Sequence, residues 1–255
     1  MSKISEVFNN KKCLVAYLTA GDPALAQTEE YIKVLADSGA DLIEIGIPFS
    51  DPVAEGEVIS AAMERALKNG VSIDKLFEMV ARVKKEIKVP LAFMTYINPV
   101  FSYGYDKFFK KCKETGVDAI IVPDMPFEEQ GEIKEYTDKY SIDIITLIAP
   151  TSKERIAKLA KNSKGFIYLV SSMGVTGVRA KITTDIPAIV SEIKKVTDTP
   201  VAVGFGISTP EQASDMLKSA DGVIIGSAIV KIIAEHKDKA AKPLADYIKS
   251  IKRGF

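Results

Sequence analysis

Short apolar runs rich in valine and isoleucine recur along this 255-residue chain, each followed by a longer stretch of helical periodicity. The runs are Cys13–Leu18, Asp41–Gly46, Pro90–Tyr96, Asp118–Val122, Asp143–Ala149, Gly165–Val170, Pro200–Phe205 and Gly222–Gly226. Helix patterns fill the intervals at Leu25–Ser38, Val58–Asn69, Ile73–Ile87, Tyr105–Thr115, Glu128–Tyr140, Lys153–Lys161, Ile186–Val196 and Pro210–Leu217, and again from Ala228 onward. About eight strand–helix pairs in this length predict one α/β domain over residues 1–255, a (β/α)8 TIM barrel. The strands are apolar almost throughout, as they are when both faces of a parallel sheet are covered. A doubly wound sheet is the structural alternative, and eight regular repeats without a second domain argue against it.

Local signals support these elements. Ser208-Thr-Pro-Glu211 fits a capping box with proline in the first turn, and Asn69-Gly70 fits a helix stop. Ile4, Val7 and Phe8 share one side of the N-terminal segment, which predicts an extra short helix closing the barrel floor. No linker or low-complexity segment divides the chain.

The formal net charge is zero, which gives no electrostatic case for nucleic acid or an anionic membrane as partner. The lysines of Lys107–Lys113 alternate with apolar residues at helical spacing and read as a solvated helix face. Cys13 and Cys112 lie far apart in apolar patterns and read as buried thiols of a reducing compartment. No signal peptide is apparent, and the apolar stretch Val223–Ala234 is too short to span a bilayer, so a cytoplasmic location is expected.

In Asp41-Leu-Ile-Glu-Ile-Gly-Ile47, the isoleucines alternate with Leu42, Glu44 and Gly46. Strand side chains alternate in direction, so Ile43, Ile45 and Ile47 share one face and Glu44 lies on the other, inside the expected barrel. A carboxylate there costs several kcal/mol or more unless it is paired or neutralised. Two readings follow: a structural glutamate held by one neighbour, or a catalytic acid near the C-terminal end of a strand. The second is preferred, because barrel active sites are built at that end.

Glycine loops follow the sixth, seventh and eighth runs: Gly174-Val-Thr-Gly177, Gly204-Phe-Gly206 and Gly226-Ser227. Glycines admit an anion close to the backbone, and a helix N-terminus supplies N–H donors, so their joint placement points to a phosphate site. Any one glycine pair alone would read as a turn. Glu55 follows Glu44 by eleven positions and could face it as an acid/base partner, although spacing alone leaves it a solvated loop charge. The single histidine, His236, lies in a polar C-terminal stretch, and no zinc-ligand pattern or histidine-based nucleophile arrangement can be built around it. No Walker loop or dinucleotide fingerprint occurs. Cofactor-free acid/base chemistry on a small phosphorylated molecule is what remains.

The chain resembles the tryptophan synthase alpha subunits along nearly its whole length. The segments that carry the resemblance are Leu18-Thr-Ala-Gly-Asp-Pro23, Ile43-Glu-Ile-Gly-Ile-Pro-Phe-Ser-Asp-Pro52, Val122-Pro-Asp124, Gly174-Val-Thr-Gly177, Gly204-Phe-Gly-Ile-Ser208 and Gly226-Ser-Ala-Ile-Val230. The resemblance implies cleavage of indole-3-glycerol phosphate to indole and glyceraldehyde 3-phosphate. It also implies a tryptophan synthase beta subunit as partner in an alpha2beta2 heterotetramer, with pyridoxal phosphate in that partner and no cofactor in this chain. By motif, Glu44 corresponds to the general acid that protonates the indole C3, and Glu55 to an aspartate acting at the indole N–H. Gly177, Gly206, Gly226 and Ser227 would surround the phosphate. Thr176 would latch two loops over the site, and Tyr17, Tyr168 and Phe205 would border the indole.

The chain departs from the family pattern at three places. Glu55 stands for the aspartate, Glu57 for a usual proline, and Tyr17 for a frequent phenylalanine. Other readings remain: a stand-alone lyase releasing indole, a paralogue that binds ligand and chiefly activates a beta subunit, and another phosphate-binding barrel such as a sugar-phosphate isomerase. The last leaves the segment around Glu44 unexplained.

Overall fold

A computed structural model describes residues 2–9, 11–150, 152–170, 185–204 and 206–255. Its strands are β1 (Cys13–Thr19), β2 (Leu42–Gly46), β3 (Leu91–Met94), β4 (Ala119–Ile121), β5 (Asp143–Ile144), β6 (Thr146–Ile148), β7 (Ile167–Val170), β8 (Val201–Gly204) and β9 (Gly222–Ile225). All strand pairs are parallel, in the order β5-β4-β3-β2-β1-β9-β8-β7-β6. The two ends of that order, β5 and β6, are halves of the single segment Asp143–Ile148, interrupted only at Ile145. The ladder therefore closes on itself through the chain, and the eight expected strands form a barrel whose fifth is split.

The two faces of each strand enter different cores. Leu14, Ala16 and Leu18 of β1 and Ile43 and Ile45 of β2 pack outward against the helices. Val15, Tyr17, Leu42, Ala92, Ala119, Tyr168 and Ala202 turn inward and fill the barrel. The helices meet the outer face with apolar stripes: Ile73–Val83 buries Leu76, Phe77, Met79, Val80 and Val83, the spacing of one helical face.

The barrel floor forms as the N-terminal pattern predicts. The helix Lys3–Glu6 buries Ile4 in the interior core, and Phe8 lies with its ring centroid 5.5 Å from that of Phe166. Three aspartates stitch strand starts together. Asp41, Asp118 and Asp221 each donate a backbone N–H to a residue of a neighbouring strand, respectively Leu14, Leu91 and Val201. Each carboxylate accepts the N–H of that same residue, at 2.9, 3.4 and 2.8 Å. Such reciprocal pairs satisfy backbone donors at the sheet rim.

The sequence reading missed a helix at Ile97–Tyr103, directly after β3. Its proline, Pro99, falls in the first turn, where a missing N–H costs nothing. The expected capping box is displaced by one residue. Thr209 is the N-cap, with Gln212 completing the box and Pro210 in the first helical position. The Asn69-Gly70 stop holds, with Asn69 as C-cap and Gly70 at φ +68°.

Candidate active site at the barrel mouth

Glu44 is fully buried, and neither carboxylate oxygen has a hydrogen-bond partner among the described residues. It lies on β2 two residues before the strand ends at Gly46, facing inward opposite Tyr17 of β1 and Ala92 of β3. Alanines at 92, 119 and 202 keep side-chain volume small in that part of the interior. Burial pushes the Glu44 carboxyl up to about 8, and the charge of Glu55 adds to the shift. Such a group holds its proton at neutral pH and can deliver it.

Glu55 is buried as well, which sets aside the reading of a solvated loop charge. Tyr96, just past β3, fixes its loop. The Tyr96 hydroxyl accepts the N–H of Ala54 at 3.0 Å and donates to Glu55 Oε1 at 3.5 Å. The Tyr96 ring also packs on that of Phe49, with centroids 5.3 Å apart. The Ile97 N–H behind Tyr96 is held in turn by the Asp124 carboxylate at 3.0 Å. Tyr96 was not singled out from sequence, yet its phase with Ala92 and Met94 already placed it on the inward face.

Glu57 does not enter this network. It is exposed in the first position of the helix Glu57–Lys68, behind the N-cap Gly56. A proline is also well tolerated in that position, and an acidic residue there is favoured by the helix dipole. The departure at Glu57 is thus an exchange between two good first-turn residues.

Tyr17 and Tyr168 both point into the barrel and are buried. Burial and then the Glu55 charge raise the Tyr17 hydroxyl, while burial and then Glu44 raise that of Tyr168, so both phenols remain neutral. Each ring lies across a glycine. A Cβ on Gly46 would stand 2.2 Å from the Tyr17 hydroxyl, and one on Gly204 would stand 2.5 Å from Cε1 of Tyr168. Real Cβ atoms do not approach so closely, so glycine is required at both strand ends.

The anion-binding features divide differently from expectation. The helix Pro210–Leu217 has already used most of its N-terminal donors: Gln212 Oε1 accepts the N–H groups of Ser208 and Thr209, and Thr209 Oγ1 accepts that of Gln212. The helix Ser227–His236 begins at the N-cap Gly226 with no side-chain cap, so among the described residues no side chain takes its first-turn N–H groups. Gly206, at φ +92°, turns the chain out of β8. Thr176, Gly177 and Phe205 lie outside the described residues.

His236 is exposed at the end of its helix, away from this constellation. Cys13 and Cys112 are buried free thiols. Among the described residues there is no cluster of three metal-ligating side chains, and no helix is long and apolar enough to cross a membrane.

The comparisons with known proteins agree with this geometry. The family described as tryptophan synthase alpha chain matches residues 5–253. The tryptophan synthase alpha chain of Lacticaseibacillus casei is 48% identical over 252 residues, covering 99% of this chain and 95% of the relative. Among solved structures, the alpha chain of Legionella pneumophila superposes with a TM-score of 0.89 at 36% identity, covering 100% of this chain and 97% of that one. Mycobacterium tuberculosis tryptophan synthase gives a TM-score of 0.90 at 34% identity, covering 99% and 98%. A chain of the tryptophan synthase complex from Pyrococcus furiosus gives 0.86 at 35% identity, covering 95% and 99%. A carboxylic acid sealed in the barrel, a second carboxylate on the loop after its strand and family similarity from end to end lead to one conclusion: the chain belongs to the tryptophan synthase alpha chain family.

Proposed function

We propose that this chain cleaves indole-3-glycerol phosphate to indole and glyceraldehyde 3-phosphate, as the alpha subunit of a tryptophan synthase. The observation that carries the reading is Glu44: a buried carboxyl with no hydrogen-bond partner for either oxygen among the described residues, raised to about 8. A buried polar group without partners is costly, and its persistence at a strand's C-terminal end fits a group meant for a ligand.

Glu44, protonated, donates to C3 of the indole while Glu55 takes the N1 proton, giving a neutral indolenine. The C3–glyceryl bond then breaks. Glu44 takes the proton of the hydroxyl on the leaving carbon, that carbon becomes the aldehyde, and N1 regains its proton as the electrons return to the ring. Both carboxyl groups end in their starting states, so no cofactor is required in this chain. Tyr17, Tyr168 and Phe205 border the indole. Gly177, Gly206, Gly226 and Ser227 surround the phosphate, with the uncapped helix at Ser227 supplying N–H donors. Thr176 is the latch of the closing loops.

The same reading takes residues 1–255 as a single barrel domain working in the cytoplasm. It pairs the chain with a tryptophan synthase beta subunit that holds the pyridoxal phosphate, in an alpha2beta2 heterotetramer. Support for a partner comes from the neighbours described as tryptophan synthase and as a tryptophan synthase complex. Two large apolar side chains in the segments after β2 and β3, Val53 and Phe101, are 72% and 67% exposed, which suits a surface to be covered.

The test is indole release from indole-3-glycerol phosphate by the purified chain, alone and with a beta subunit. Weak activity strongly raised by the partner supports the subunit reading. High activity alone would favour a stand-alone lyase. No cleavage, with activation of the partner retained, would make the chain a regulatory paralogue.

A further inference from the structure

Tyr17 and Thr19 lie two residues apart on β1, both buried, and their hydroxyls hydrogen-bond to each other at 3.3 Å. Either oxygen can be the donor, and neither hydroxyl makes another side-chain hydrogen bond among the described residues. Each hydroxyl carries one hydrogen, so a single mutual bond uses only one of the two. The other O–H donor is buried without an acceptor among the described residues, a condition that is costly unless something satisfies it.

The position of this hydrogen is informative. Tyr17 is the register partner of Glu44, and Thr19 that of Gly46, so the pair flanks the carboxyl group on the mouth side. The phenol oxygen overlies Gly46, held there by the absence of a side chain. In the reaction proposed above, Glu44 protonates C3, and the carbon bonded to C3 carries the hydroxyl that becomes the aldehyde. That oxygen is therefore within two bonds of the atom Glu44 must reach, and a donor flanking Glu44 is close to it. The indole ring is a poor alternative acceptor, since its nitrogen carries a hydrogen rather than an available lone pair.

We propose that the Tyr17–Thr19 pair is a substrate-recognition element that donates its uncommitted hydrogen to the glyceryl oxygen next to the scissile bond. This rests on the lyase reading and adds to it a specificity for side-chain hydroxyls. The oxygen accepts the same hydrogen as an alcohol and as the carbonyl it becomes, so the contact persists through cleavage. Burial keeps the Tyr17 phenol protonated and able to donate.

The pair Tyr17→Phe/Thr19→Val removes both hydroxyls with little change in shape, whereas either single substitution leaves one hydroxyl free to donate. The experiment compares wild type, both single variants and the double variant. It measures kcat/KM for indole-3-glycerol phosphate and Kd for indole-3-propyl phosphate, which keeps the ring and phosphate but lacks the hydroxyls. Thermal unfolding of each variant checks that the fold is intact. The expected result is a loss of about tenfold in kcat/KM in the double variant, a smaller loss in each single variant, and Kd for the hydroxyl-free phosphate within about twofold of wild type. Equal loss for both compounds, or no loss for the substrate, would overturn the proposal. A shift of the pH–rate profile without weaker substrate recognition would assign the hydrogen to Glu44 and overturn it too. If wild type neither cleaves the substrate nor binds the hydroxyl-free phosphate, the lyase reading falls and this inference with it; if wild type does both, only the inference is at stake.

Discussion

The charge of Glu55 acts on Glu44 in the same direction as burial does, so the second carboxylate helps to keep the first one protonated. Glu44 holds its proton because it is sealed inside the strand ladder, and Glu55 sits on a loop where the Tyr96 hydroxyl can donate to it.

This arrangement sets a pH dependence. With its carboxyl raised from 4.5 to about 8, Glu44 loses its proton near the alkaline edge of the neutral range. Activity should fall as pH rises through about 8. Stability follows the same sign: the folded state favours the protonated form, so the contribution is fully present below the unfolded value and is lost between about 4.5 and 8. Glu44→Gln should abolish cleavage, leave phosphate binding nearly intact, and gain stability relative to wild type as pH rises from 6 to 9. Urea unfolding at both pH values reads the second effect, and a constant difference would contradict it.

Glu55→Ala should lower kcat severely, by roughly 10²-fold or more as for loss of a positioned acid/base group. In Glu55→Gln the alkaline limb of the residual activity should move to lower pH, because a neighbouring negative charge is removed. Burial is the larger cause of the Glu44 shift, so the limb should stay well above the ordinary carboxylate range.

Tyr96→Phe removes the hydroxyl that joins the Ala54 N–H to Glu55. The loop then loses its fixed point while the ring packing on Phe49 remains. The expected effect is a fall of about tenfold in kcat with a small change in KM, since misplacing a catalytic group by about 1 Å can cost more than that. An unchanged kcat would separate Tyr96 from the positioning of Glu55.

Gly46→Ala would place a Cβ 2.2 Å from the Tyr17 hydroxyl and 2.7 Å from Cζ of the same ring. Overpacking of a buried site should destabilise the fold by about 1–3 kcal/mol. Combining it with Tyr17→Leu should recover part of that loss, and a double-mutant cycle measures the recovery. Strict additivity would show that the two positions do not compete for space.

Asp41→Ala should lower stability by about 1–3 kcal/mol by leaving the Leu14 N–H without its acceptor and freeing Lys11 and Lys252. The carboxylate lies at the opposite end of β2 from Gly46, so kcat/KM should not change. Parallel denaturation and activity assays check both halves.

Much of the site was legible because strand periodicity is local. Three isoleucines in alternate positions were enough to turn Glu44 inward, and the same phase held in the folded chain. Glycines after the strands were legible for a similar reason, as only a few residues were needed to recognise them. Tyr96 and Thr19 were passed over because a tyrosine or threonine near a strand end has no signature until the groups its hydroxyl meets in the folded chain are known. The helix Ile97–Tyr103 was missed because it follows β3 without a punctuating loop, and its proline reads as a breaker until it is placed in the first turn.

By itself the sequence determined the order of the strands and of most helices, the inward phase of Glu44 and, through its motifs, the family. Those depend on side-chain alternation and short patterns, which are set within a few residues. The tertiary structure decided that the fifth strand splits at Ile145 and closes the ladder, that Tyr17 lies over Gly46, and that Tyr96 rather than solvent meets Glu55. Tyr96 and Glu55 are 41 positions apart in the chain, and only the register of neighbouring strands brings such residues together.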